Sequence, residues 1–332
     1  MYHSDFPKEK IIKSFKIAMA SFLAIALAGR LGLAYPATAG IITILSIQNT
    51  KRETFKSAFN RGAAFLCALL LAALCFLILD YSLLAFAVYL FFFALLCLRA
   101  GWTEAIAMDS VLITHFLTGE GMTPGTVLNE AALFIIGTSM GILVNLHLRR
   151  KESLFLALAD EVDSQIKAVI HRMALWLPQP DKSSYDSACF TRLEQSLYSA
   201  RLCAAANYNN ALRSKSTYEL DYINMREQQS VVLQGIYENI KEISYLPHQA
   251  MQIAALLKGI EQGYHKDNTV EALLHDLDEL FSEMRAQPLP QNREEFEARA
   301  ILFYILKQLE KLLLLKRSFI LSRINHQGPP IY

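Results

Sequence analysis

Gly62 to Leu98 reads GAAFLCALLLAALCFLILDYSLLAFAVYLFFFALLCL, and this stretch decides the class of fold. Its only acidic or basic residue is Asp80, in the Asp80-Tyr81-Ser82 step between two apolar runs, 62–79 and 83–98. Each run approaches the roughly 20 residues a helix needs to cross the hydrocarbon core of a bilayer. Lipid offers the backbone no hydrogen bonds, so such runs must satisfy their own N–H and C=O groups as helices. The pair is a helical hairpin through a membrane.

Four more apolar segments flank it, at 12–33, 36–47, 104–117 and 127–148. The second and fifth of the six are short for a full crossing and leave a re-entrant course open. Lys and Arg gather on the cytoplasmic side of spanning helices. Here Lys8, Lys10, Lys13 and Lys16 precede segment one, and Lys51, Arg52, Lys56 and Arg61 follow segment two. Arg99 follows segment four, and Arg149, Arg150 and Lys151 follow segment six. The alternate loops, 80–82 and 118–125, carry no basic residue, and Arg30 is the exception. If segment two only dipped into the membrane, the cluster at 51–61 would face outside. Six crossings with both ends cytoplasmic is the expected topology.

Composition agrees. Of 332 residues 53% are hydrophobic and 19% charged, against about 25% charged in soluble domains. Mean hydropathy is +0.25. The shortage of charge lies before Arg149, and a net charge of +1 offers no footprint for nucleic acid. The basic start followed by Ile17 to Gly29 resembles a signal peptide. With further apolar runs behind it, it is expected to stay as the first span. Five cysteines without CxxC spacing read as small apolar fillers, not disulfides or metal ligands.

Beyond Arg149 the pattern is amphipathic. Helices are expected at 152–177, 187–212, 217–243 and 248–264, with a Pro-rich loop at 178–184. Asn268 with Glu271, and Asn292 with Glu295, read as capping boxes opening two more helices, the last ending near Ile324. The whole is an all-α chain: a six-helix transmembrane bundle over 1–150, a cytoplasmic helical bundle over 151–325, and a disordered tail over 326–332. There is no GxxxxGK[ST], no GxGxxG and no HExxH, so neither ATP-driven pumping nor enzymatic catalysis is expected, and no cofactor or metal.

Lys16 to Gly62, KIAMASFLAIALAGRLGLAYPATAGIITILSIQNTKRETFKSAFNRG, resembles the aromatic acid exporter family of the fusaric acid resistance-like superfamily. The shared pattern is a basic, small-residue first helix and Pro36 opening the next. It continues with Ala39-Gly40, Ser46, Gln48, Thr50, Ser57 and Arg61, and later with Ser110-Val-Leu-Ile-Thr-His115. The resemblance extends over the whole layout, including a helical C-terminal domain. It implies a secondary exporter, or a channel-like permease, for small organic anions such as aromatic carboxylates, working as a homodimer. A passive anion channel, and a membrane-anchored scaffold or sensor without transport, are the alternatives.

The site candidates come from physics, because an ionisable group within a span is expensive. Segment five holds Glu104, Asp109 and His115. At 100° per residue Glu104 and His115 share a face, and Asp109 lies about 140° from Glu104. Were export proton-driven, Asp109 would be the first candidate to carry the proton and His115, with an imidazole pKa of about 6.5 in water, the second. Thr43, Gln48 and Thr50 are polar candidates on segment two, with Thr43, Ile47, Thr50 and Thr54 at helical spacing, though mid-helix threonines commonly bond their own backbone. Arg30, Arg61 and Arg99 could attract an anion along its path, or simply snorkel to lipid headgroups. Gly137-Thr-Ser-Met-Gly141, continued by Asn145, permits a close helix contact within the chain or between subunits. The short, polar segment is the middle one of each three-segment half, a placement that marks the site of inverted-repeat transporters.

Overall fold

A computed structural model describes residues 6–119, 121–148, 150–211, 216–263 and 270–327. Twelve α-helices make up the regular structure of these residues. Apart from a short stretch beginning at Asn209 that groups with the first, the chain divides into two compact units at Arg150/Lys151.

The first unit holds α1 (Phe6–Arg30), α2 (Pro36–Ser46), α3 (Lys51–Leu79), α4 (Leu83–Ala100), α5 (Thr103–Thr118) and α6 (Pro124–Leu146). Local sequence sets their ends. Pro36 stands at the start of α2, where a missing N–H does no harm. The Thr50 and Ser82 hydroxyls accept the backbone N–H of Glu53 and Ala85 at the starts of α3 and α4. Thr123 and Thr126 form a reciprocal capping box at α6. Gly101, at φ 72°, supplies the left-handed residue that ends α4.

Small residues let these helices approach closely. Ala64, Ala68 and Ala72 of α3 are buried in one cluster with Ala85, Tyr89, Phe93 and Cys97 of α4. A Cβ added to Gly137 or Gly141 would stand 2.5 Å from Ile42 Cβ or 2.6 Å from Ser46 Cβ. At Gly137 and Gly141 the small face of α6 meets α2 of the same chain. On its other side α2 presents Gly40 to Ile25 and Ser21 of α1. Large apolar side chains such as Leu77 and Leu83, more than four-fifths exposed, cover the outside. An apolar exterior of this extent belongs in lipid.

The helices associate as two interleaved trios. α2 packs between α1 and α6, while α5 packs between α4 and α3. Exchanging α1, α2 and α3 for α4, α5 and α6 converts one trio into the other. Each short helix is therefore held by the first helix of its own half and the third of the other.

Of the six expected crossings four, α1, α3, α4 and α6, are helices long and apolar enough to span a membrane. At 1.5 Å per residue α2 extends about 16 Å and α5 about 24 Å, short of a core of about 30 Å. The basic stretch 51–61 is no loop but the first turns of α3. Thr43 and Thr50 do not share a helix face, because Ile47 is extended and Thr50 is the cap of the next helix.

The second unit holds α7 (Glu152–Trp176), α8 (Ala188–Asn210), α9 (Tyr218–Glu242), α10 (Gln249–Gly263), α11 (Glu271–Ala286) and α12 (Arg293–Gln327). α9 packs against α12 and α7, and α10 against α7 and α11. Its interior contains a buried ion pair, with Arg226 Nη2 2.9 Å from Asp163 Oδ1 and the Tyr222 hydroxyl donating to the same carboxylate at 2.6 Å. Asn292 Oδ1 caps α12 by accepting the Glu295 N–H at 2.8 Å. Asn268 lies outside the described residues. The helix, rather than a disordered tail, includes His326 and Gln327; residues 328–332 lie outside those described.

Candidate functional site

α5 carries an ionisable group at each of three depths. Along its axis Glu104 and Asp109 are about 7 Å apart, and Asp109 and His115 about 9 Å. This short helix packs against α3 and α4, and each group has a different environment.

At the start of α5 three donors converge on one carboxylate oxygen. Glu104 Oε2 accepts from Gln48 Nε2 at 3.0 Å, Ser57 Oγ at 2.7 Å and Arg61 Nη2 at 3.1 Å. Ser57 and Arg61 are four apart on α3 and so share a face, and Gln48 reaches in from the link after α2. The Arg61 side chain is only 4% exposed while that of Glu104 is 55% exposed. Arg61 also reaches Ser46 Oγ at 3.4 Å, and its Nε is buried without a hydrogen-bond partner. A cavity of about 350 Å³ opens beside the cluster, lined by Glu53, Lys56, Ser57, Arg61, Trp102 and Glu104 among others. The snorkelling arginine considered from sequence is instead an interior one, because α3 begins eleven residues earlier than its apolar run and places Arg61 in its third turn. Arg30 and Arg99 are exposed and lie apart from this cluster.

Midway, Asp109 is fully buried, and neither carboxyl oxygen has a hydrogen-bond partner. The neighbouring Ser110 Oγ and the Tyr89 hydroxyl of α4 are buried and unpartnered as well. Leaving a buried polar group unsatisfied costs about 1–3 kcal/mol. Asp109 is thus a burden on folding.

Near the far end of α5, His115 Nδ1 lies 2.7 Å from Oε2 of Glu130 on α6. Glu130 is 2% exposed and accepts from Asn129 Nδ2 at 2.9 Å through its other oxygen. Tyr35 stacks on the imidazole, with centroids 4.1 Å apart and planes 14° from parallel. Asn129 also receives the Ala34 N–H and donates to the Ala34 carbonyl. Tyr35, at φ 57°, holds a left-handed conformation that few residues of its size adopt. The Tyr81 hydroxyl accepts the Met122 N–H at 2.7 Å, tying two further loops at this end. The connections without basic residues are therefore bonded to one another, and the cavity lies at the opposite end of the helices.

Sequence reading missed Glu130 and Tyr35. A signal existed for Glu130, the only acidic residue between Val127 and Leu148. None existed for Tyr35, whose partner is remote in sequence. Thr43, Asn145 and Thr50 make hydrogen bonds close to these groups. Thr43 Oγ1 donates to the Ala39 carbonyl at 2.8 Å within its own helix. Asn145 Nδ2 donates to the Gln48 carbonyl and to Thr54 Oγ1, fixing the link that presents Gln48. Thr50 caps α3, which carries Ser57 and Arg61.

Two family models match the chain. Residues 10–148 match "Aromatic acid exporter family member 1", and residues 154–317 match "Putative aromatic acid exporter C-terminal domain". A relative from Bacillus subtilis (strain 168), "Uncharacterized protein YqjA", is 27% identical over 307 residues, which covers 92% of this chain and 95% of the relative. A solved structure, "Crystal structure of putative membrane protein from Clostridium difficile 630", is 26% identical, with a TM-score of 0.45. That match covers 50% of this chain and 98% of the other.

Proposed function

The chain belongs to the aromatic acid exporter family, and we propose that it is a secondary exporter of small organic anions, aromatic carboxylates among them, with its path along α5. The observation that carries this reading is the series Glu104, Asp109 and His115 on one short helix, each in a protein interior or cavity rather than in lipid. A membrane anchor has no use for such groups, and each costs stability. Protons would be exchanged at Asp109 and at the His115–Glu130 pair, and the anion would enter beside Arg61.

In this reading α2 and α5 complete six crossings with the help of their connecting loops, and both termini are cytoplasmic, which the basic links support. The protein works as a homodimer, because six helices with two short ones leave little room for an aqueous path. The test is accumulation of a panel of aromatic carboxylates in cells lacking or overproducing the protein. Lower internal levels on overproduction are expected. Levels indifferent to the protein across the panel would refute export.

A further inference from the structure

The convergence of Gln48, Ser57 and Arg61 on a single oxygen has the form of a carboxylate-binding site, and in the structure a carboxylate fills it. We propose that these three residues bind the carboxylate of the transported anion, and that Glu104 is an internal stand-in which the substrate displaces. The inference rests on the exporter reading and adds to it a site and an occupant.

The donors and the occupant differ in how firmly they are held. Arg61 is buried, and its place is set by α3 and by Ser46. Glu104 sits in the first turn of α5 with more than half of its side chain in the open. Ion pairs with a solvent-exposed member contribute little, because water competes for the exposed partner. Exchange of one carboxylate for another is therefore nearly neutral, and the donors are never left without an acceptor. Arg61 has capacity for more than it now binds. A guanidinium carries five N–H donors suited to bidentate recognition of a carboxylate, and here Nε has no partner.

The surroundings fit a small aromatic acid. The adjoining cavity of about 350 Å³ is at the lower end of the range for small-molecule sites. Trp102 lines it, and an indole is a favourable neighbour for an aromatic ring. Once Glu104 leaves, Lys56 and Arg61 face Glu53 as the remaining charges of the wall, so the site turns net positive. A neutral analogue would not be able to replace Glu104, which gives selection for charge as well as shape. Glu104 then keeps Arg61 from holding stray anions when substrate is scarce.

The experiment is calorimetric binding of benzoate, with benzamide as the neutral control, to the purified full-length protein in detergent. Glu104→Gln and Glu104→Ala should bind benzoate several-fold more tightly than the unaltered protein, since the competitor is gone. Benzamide binding should not change. Ser57→Ala and Gln48→Ala, which each remove one donor and leave Arg61 in place, should weaken benzoate binding several-fold. Benzoate affinity unchanged in both Glu104 variants would overturn the inference, and so would binding indifferent to Ser57→Ala and Gln48→Ala. If the unaltered protein exports benzoate in cells while these variants bind it alike, only this inference fails. If it neither binds nor exports any carboxylate, the exporter reading fails with it.

Discussion

His115 Nδ1 lies 2.7 Å from Glu130 Oε2, joining α5 to α6 within a protein interior. The Tyr35 ring lies flat on the imidazole and fixes its plane. Truncation at His115→Ala leaves a buried carboxyl short of a partner and should cost about 1–3 kcal/mol. The double variant His115→Ala, Glu130→Gln should recover much of that loss, because neighbours that share a hydrogen bond are not additive. Thermal stability in detergent measures both. Equal loss in the single and double variants would mean that the two residues are not coupled.

Asp109 makes the opposite prediction. Its carboxyl is buried with no hydrogen bond, so Asp109→Leu should raise stability by about 1–3 kcal/mol. The same change, and Asp109→Asn, should abolish accumulation driven by a pH gradient. If Asp109→Asn and His115→Gln both transport with unaltered pH dependence, neither residue carries the proton.

The glycines of the membrane unit separate by their surroundings. Gly137→Ala forces a Cβ to within 2.5 Å of Ile42 and should destabilise the protein by about 1–3 kcal/mol. Gly62, in α3 with nothing within 4 Å of an added Cβ, should gain about 0.5–1 kcal/mol as Ala. The loss at Gly137 should be the same at all protein concentrations, because the contact is within the chain. A loss confined to dilute protein would place that face at a subunit contact.

The six apolar helices of the first unit were legible because each is written as a run of apolar residues, and Pro36 marks the start of α2 by local chemistry. The first three turns of α3 were not, since Lys51 to Arg61 is polar and hydropathy ends where charge begins. Of the site, Glu104, Asp109 and His115 could be named because charge within an apolar segment stands out. What each does could not, for it depends on remote partners: Arg61 is 43 residues from Glu104, and Glu130 is 15 from His115. An arginine that snorkels and one that is buried look alike in sequence. The contact at Gly137 and Gly141 was equally ambiguous, because a small face says that something approaches and not what.

The topology has a direct check. In a cysteine-free background Arg52→Cys, in the first turn of α3, should resist a membrane-impermeant thiol reagent applied to whole cells. Gly125→Cys, where an added Cβ meets nothing nearer than 3.9 Å, should react. The reverse pattern would invert the chain in the membrane, and reaction at both sites would break the six-crossing arrangement.

The central claim is that α5 forms a path which moves an organic anion at the expense of a proton gradient. The most direct measurement is benzoate flux into liposomes that contain only the purified protein, with and without an imposed pH gradient. The account predicts accumulation above the level set by passive distribution, dependent on the gradient and lost in Asp109→Asn. Benzoate that merely equilibrates at the same rate in both conditions would contradict it and identify a passive channel, and the absence of any flux would identify an anchor.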